Sequence, residues 1–195
     1  MQETTREQLL DCAMRHFAAR GFYGASLAGI ADEVGLTKQA LLHHFKRKEA
    51  LYAAVLSRIS DRMLGCMAAA DAAGEEPREQ LFAVLLAVFE QSAASPHGTR
   101  IVVRELLDSE RRANEVHSWY LKPFLSALVD RVRAISGLES LRRDAALARV
   151  YPVLGAMSYL LVSDVVLTQM YGAATYARLT EDFAADLRRQ VERLA

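Results

Sequence analysis

Four prolines and ten glycines in 195 residues leave this chain short of turn punctuation. A strand-rich sandwich or barrel needs a turn signal roughly every 8–12 residues, so an all-β fold is excluded. Ala, Leu and Arg dominate instead, and they favour helix by intrinsic propensity. Cysteine is scarce as well. Cys12 and Cys66 stand far apart with no CxxC pair, so no disulfide framework is indicated. They are read as isolated thiols of a protein in a reducing compartment, the cytoplasm. An excess of one charge is missing: Lys+Arg and Asp+Glu both number 24. That excludes a globally basic coat and an acidic solvating tail, and any charged partner must meet a local patch.

Targeting and catalytic signals are missing too. The opening MQETTREQ has no apolar centre and is not read as a secretory signal. The most apolar stretch, 153–171, is interrupted by Asp164 and Gln169. A carboxylate in mid-span costs roughly 2.5–3.5 kcal/mol on insertion, so the stretch is read as a buried helix and no membrane partner is expected. No GxSxG, HExxH, phosphate-binding loop or dinucleotide fingerprint occurs, so no enzyme activity and no cofactor are expected. His43 and His44 are adjacent and diverge by about 100° on a helix, and no Glu-x-x-His pair exists; no metal site is expected.

What is present is helical period. Thr4-Thr5-Arg6-Glu7 has the form of a capping box, Leu10 and Phe17 recur at helical spacing, and Gly21 is placed to end the run. A short helix is predicted from Leu27 to Val34, capped by Ser26 and stopped by Gly35. Thr37 can cap a third, through Phe45. A longer helix runs from near Arg47 to 72–74. Pro77 opens another to about Ser92, and 95–98 reads as a turn. Further helices are predicted over 99–107, 110–135, 142–171 (with Pro152 and Gly155 as kinks) and 176–194. The fold class is therefore all-α, about nine helices.

Residues 27–45 carry the functional signal. Ala31 is small enough for two helices to cross closely, Gly35 makes the turn, and Ile30, Val34, Leu36 and Leu41 form the seam of a helix-turn-helix. Leu41 and Phe45 share the inward face of the third helix. The outward face is then Gln39, Ala40 and His43, flanked by Lys38, Leu42 and His44, with no acid. Gln can bond adenine bidentately, Ala can touch a thymine methyl, and His can meet a base edge or a phosphate. Lys46, Arg47 and Lys48 oppose the dipole at the start of the fourth helix, which makes sense if a phosphate binds there.

Together with Leu10-Asp11, Phe17, Arg20-Gly21-Phe22 and Lys48-Glu49-Ala50-Leu51, these residues resemble the tetracycline-repressor-like (TetR) family of bacterial transcription regulators. The resemblance covers the start of the chain only. It implies a helix-turn-helix DNA-binding domain (1–50) and an effector-binding and dimerisation domain (51–195). It also implies a homodimer on a palindromic double-stranded DNA operator, with repression released by a small-molecule effector. Ser26, Thr37, Lys38, Gln39, Ala40, Leu42, His43, His44, Lys46 and Lys48 are the implied DNA-binding residues. Five positions depart from the family pattern, which has Gly or Pro at 39, Thr or Ser at 40, Tyr at 42, often Tyr at 44 and a Ser-type cap at 47. Leu42 cannot donate to a phosphate. Arg47 replaces a Ser-type cap.

The later part holds the effector candidates. Arg104, His117, Trp119, Tyr120 and Phe124 mix polar and aromatic character, and Pro123 is expected to kink the helix beside them and open a pocket for an apolar or aromatic ligand. Asp164, a carboxylate in an apolar helix, is expected to pair with an Arg or to sense a ligand. The competing reading is a helical small-molecule-binding or interaction protein without DNA binding. The acid-free face from Lys38 to Lys48 argues against it.

Overall fold

The computed structural model describes residues 5–72, 76–107 and 120–194, and ten helices lie among them. These are α1 (Thr5–Gly24), α2 (Leu27–Glu33), α3 (Lys38–Phe45), α4 (Lys48–Ala72), α5 (Pro77–Ala94), α6 (His97–Leu107), α7 (Lys122–Ala134), α8 (Arg143–Val162), α9 (Asp164–Tyr171) and α10 (Ala173–Glu192). No strand occurs among the described residues, so the all-α expectation holds.

Two compact units divide the chain. The first takes its residues from 1–61 and 97–120, the second from 62–96 and 121–195. The expected line at 50/51 is a different partition, because the start of α4 and all of α6 pack with the first three helices. In the first unit α1 lies against α6 and α2. Leu9, Cys12, Ala13 and Phe17 of α1 are buried, with Ile30 and Ala31 of α2, Leu41 of α3, Leu51 and Val55 of α4, and Ile101 of α6. Phe17 meets the Tyr52 ring edge-on, centroids 4.8 Å apart. The Tyr52 hydroxyl donates to Glu105 Oε2 at 2.8 Å, giving a buried carboxylate of α6 a partner on α4. Arg58 reaches back to Asp11 at 3.1 Å.

In the second unit α5, α7, α8 and α10 share a core of Leu81, Leu85, Phe124, Leu128, Ala146, Val150, Leu187 and Val191. Arg131 crosses to Asp71 at 2.5 Å and to Gln80 at 3.1 Å. Arg78 donates to the carbonyls of Val191 and Glu192, at 3.3 and 2.9 Å, which closes the orphan end of α10.

Several boundaries differ from the sequence expectations. Gly21 interrupts α1 (φ 68, ψ 177), but helix resumes to Gly24. His97 and Gly98 belong to α6, so the turn is confined to Ser95–Pro96. Pro123 starts α7, near its first turn, rather than kinking a longer helix; its missing N–H costs nothing there. Pro152 lies inside a continuous α8, and the 142–171 run divides instead at Ser163. The Tyr159 carbonyl there accepts both the Ser163 hydroxyl at 2.7 Å and the Ser163 amide at 3.2 Å, and the next helix starts one residue on. The apolar stretch 153–171 is buried on one side only. Val153, Met157, Leu160 and Leu161 face the core, while Tyr159, Val165, Val166, Met170 and Tyr171 are exposed. By length and composition α8 could cross a membrane, and a third of its most apolar window is buried within the chain.

Gly35 offers a local stability test. Its φ is 70°, and a Cβ built there meets nothing within 4 Å. Strain is then the whole cost of a side chain, so Gly35→Ala should lower stability by about 1 kcal/mol, with Gly35→Asn falling between the two. Urea unfolding midpoints at unchanged m-value check this.

Candidate nucleic-acid interface

Three local devices set the helix-turn-helix. Ser26 Oγ accepts the Gly29 amide at 3.4 Å and caps α2. Past Val34 the Leu36 amide bonds the Ala31 carbonyl at 2.9 Å, and the Gly35 amide bonds that of Asp32 at 3.0 Å. This pair of returning bonds is a Schellman ending, with Gly35 as its left-handed residue. Thr37 Oγ1 then accepts the Ala40 amide at 3.2 Å and starts α3. Ile30, Ala31 and Leu41 are fully buried where the two helices meet, and Phe45 is 5% exposed.

With Leu41 and Phe45 inward, α3 turns Lys38, Gln39, His43 and His44 to solvent, while Ala40 and Leu42 are half-buried. The His43 and His44 rings meet edge-to-face, 6.0 Å apart. They share one exposed surface without converging on one point. The helix carries no acidic residue. Of the residues read as outward, Gln39 and His43 are exposed and Ala40 is half-buried.

The link to α4 is unusual. Lys46 has φ 61 and ψ −47, the one positive φ outside glycine among the described residues. Its amide bonds the Leu42 carbonyl at 2.7 Å, and the Arg47 amide returns to the Phe45 carbonyl at 2.6 Å. That is a γ-turn of the less common hand, a strained connection. It delivers Lys46 and Arg47 to the surface next to the start of α4, whose first backbone bond runs from the Leu51 amide to the Arg47 carbonyl at 3.2 Å. The amides of 48–50 precede that bond, so backbone donors and basic side chains occupy one small region.

Lys48 is more engaged than its expected phosphate contact requires. Its Nζ donates to the Tyr23 carbonyl at 3.3 Å and sits 4.9 Å above the Phe22 ring. Burial pushes its pKa below the ordinary lysine value. Arg6, which the spacing did not single out, stands 5.3 Å over the Phe45 ring, at the far end of α3 from its cap. No periodicity could have marked it, since the contact is tertiary.

The effector candidates do not assemble into one described site. His117 and Trp119 lie outside the described residues. Arg104, in the first unit, donates to the Ala19 carbonyl at 3.3 Å and so joins α6 to α1. Tyr120 is half-buried in a turn, and Phe124, 1% exposed, belongs to the core of the second unit. Asp164 is no buried charge in mid-helix. It begins α9, where its Oδ1 accepts the Val165 amide at 2.7 Å and where the helix dipole favours a carboxylate.

Residues 9–55 match the profile described as "Bacterial regulatory proteins, tetR family". Over these residues the chain is similar to that family. Relatives point the same way. The HTH-type transcriptional activator FasR of Mycolicibacterium smegmatis is 29% identical over 72% of this chain and 64% of its own length. The HTH-type transcriptional repressor KstR2 of Rhodococcus jostii is 32% identical over 54% of this chain and 53% of its own. The matched part thus spans less than two thirds of either relative. The fold extends further than the sequence likeness. The structure of the fatty acid degradation regulator FadR from Bacillus halodurans superimposes with a TM-score of 0.72, covering 100% of this chain and 96% of that one at 18% identity.

Proposed function

We propose that this chain is a TetR-family DNA-binding transcriptional regulator, a cytoplasmic homodimer that represses from a palindromic operator and is released by a small apolar or aromatic effector. The observation that carries the reading is the exposed, acid-free face of α3 beside the basic α3–α4 link. A solvated helix face ordinarily mixes both charge signs; this one presents base-reading side chains. Two copies are supported by the exposed apolar residues of α8 and α9, Tyr159, Val165, Val166, Met170 and Tyr171, since clustered exposed apolar residues mark an interface. The functional division follows the line at 50/51, with the reader before it and effector binding and dimerisation after it. Repression is proposed from the family resemblance, and the named relatives include both signs of control.

In this mechanism a two-fold dimer holds its two recognition helices about 34–36 Å apart, one DNA turn, in successive major grooves. An effector that binds better to a different spacing lowers operator affinity by the same factor by which DNA lowers effector affinity.

The test is base preference against bulk affinity. On an inverted repeat selected from genomic fragments, Gln39→Ala should cost about 1–3 kcal/mol and relax preference at one base position. Lys38→Ala, at an exposed site, should weaken every sequence alike and reduce the salt slope by about one. Lys48→Ala should do the same and also lower stability, because it abandons the Tyr23 carbonyl and the Phe22 ring. Fluorescence anisotropy over an operator library reads all three. A uniform loss for Gln39→Ala, with no change in base preference, would remove it from the readers.

A further inference from the structure

Outside the DNA face, α1 and α2 bring together a cluster that the reading of the sequence passed over. Cys12 and His16 lie four residues apart, on one face of α1, and Glu33 is the last residue of α2. A thiol sulfur, a ring nitrogen and a carboxylate oxygen from these three all lie within 4.8 Å of one another. His16 Nε2 is 2.7 Å from Glu33 Oε2, and the other carboxylate oxygen is held by Arg15 at 2.6 Å. Cys12 Sγ also makes a long contact, 3.5 Å, to the Ile30 carbonyl.

We infer that Cys12, His16 and Glu33 form a site for one thiophilic divalent cation of the zinc class, clamping α1 to α2. Two observations converge on it. The donor set mixes one sulfur, one imidazole nitrogen and one carboxylate oxygen, the combination that zinc and cobalt accept and that calcium and magnesium do not. A cation shared by the three would take His16 through Nε2, replacing the present contact of that nitrogen with Glu33 Oε2. Finally, burial is graded: Cys12 is fully buried, the His16 side chain is 12% exposed and that of Glu33 44% exposed. The cluster therefore opens to solvent on one side, which provides an entry path and a position for water as fourth ligand. Arg15 stays on the outer carboxylate oxygen and orients it, the part that a partner behind the ligand plays in metal sites.

Distances need only modest change. Zinc bonds of about 2.0–2.3 Å set neighbouring donors between three and four ångströms apart, inside the present spread. The site is independent of the DNA reading, and its loss would leave that reading standing.

The experiment titrates Co²⁺ into the purified, metal-stripped full chain and records absorption. Expected is a near-ultraviolet thiolate-to-cobalt band that saturates at one equivalent per chain and is displaced by Zn²⁺. Cys12→Ser and Glu33→Gln should lose the band, with far-ultraviolet circular dichroism confirming that they remain helical. Cys66→Ser should keep it. The wild-type measurement alone overturns the proposal if cobalt binds without a thiolate band, as it would at exposed histidines, or does not bind. A band retained in Cys12→Ser or lost in Cys66→Ser overturns it equally.

Discussion

Val166→Glu combined with Met170→Glu is expected to yield a monomer and to abolish tight operator binding. Both side chains are more than half exposed in the single chain, so the change should alter the fold of one copy by less than about 0.5 kcal/mol. A two-fold contact through this face repeats each substitution, so four carboxylates would be buried without partners. Each costs far more than an exposed apolar contact returns. Operator affinity should then fall roughly 10²–10⁴-fold, because the second half-site loses its tether to the first. Sedimentation velocity at micromolar concentration reads the mass, and anisotropy on the operator reads the affinity. A Gln91→Glu control, on an exposed position of α5, should change neither. A doubly substituted chain with the wild-type mass would place dimerisation elsewhere.

Leu41→Ala should produce the second large effect, this one on the reader. Leu41 is fully buried against Ile30 and Ala31, and short helices such as α2 and α3 have almost no stability apart from that packing. Removing three carbons costs about 2–5 kcal/mol, depending on how far the site collapses. That is a large share of the ~5–15 kcal/mol that holds a domain together. Hydrogen exchange should therefore accelerate across α2 and α3, with operator affinity lost even at half-sites. Amides in α8 and α10 should keep their protection, since their core of Val150, Leu187 and Val191 is a separate cluster. Loss of protection throughout would mean that the two cores unfold as one.

The reader was legible because each of its boundaries is chemically local. Ser26, Gly35 and Thr37 act on amides within three residues of themselves, so their roles follow from identity and position alone. The longer helices were legible as helices, but their divisions were less so. Pro152 looked like the breaker and Ser163 did not, yet the helix runs through Pro152 and ends at Val162. Asp164 read as a charge in mid-helix accordingly: once the chain breaks at Ser163, the carboxylate stands at a helix start, where it is favoured. Contacts made across the fold left no trace in spacing. Lys48 is tied to the carbonyl of a residue 25 positions earlier, and Glu33 meets His16 from another helix. The outward direction of Gln39 and His43 was recoverable only because Leu41 and Phe45 fixed the opposite side.

The γ-turn at Lys46 makes α3 and α4 a lever with a very short crank. Only Lys46 and Arg47 separate Phe45 from Lys48, and both amides of that link are already bonded. There is no slack for one helix to turn while the other stays still. α4 has 25 residues, hence a length of about 37 Å, so a sideways shift of roughly 2 Å at its far end tilts it by about three degrees. The tilt would reach α3 undiminished, and a bidentate base contact tolerates little misalignment. Relaxing the crank with Lys46→Gly, which suits the positive φ and frees the backbone, would therefore trade strain for play: a more stable corner that transmits less motion.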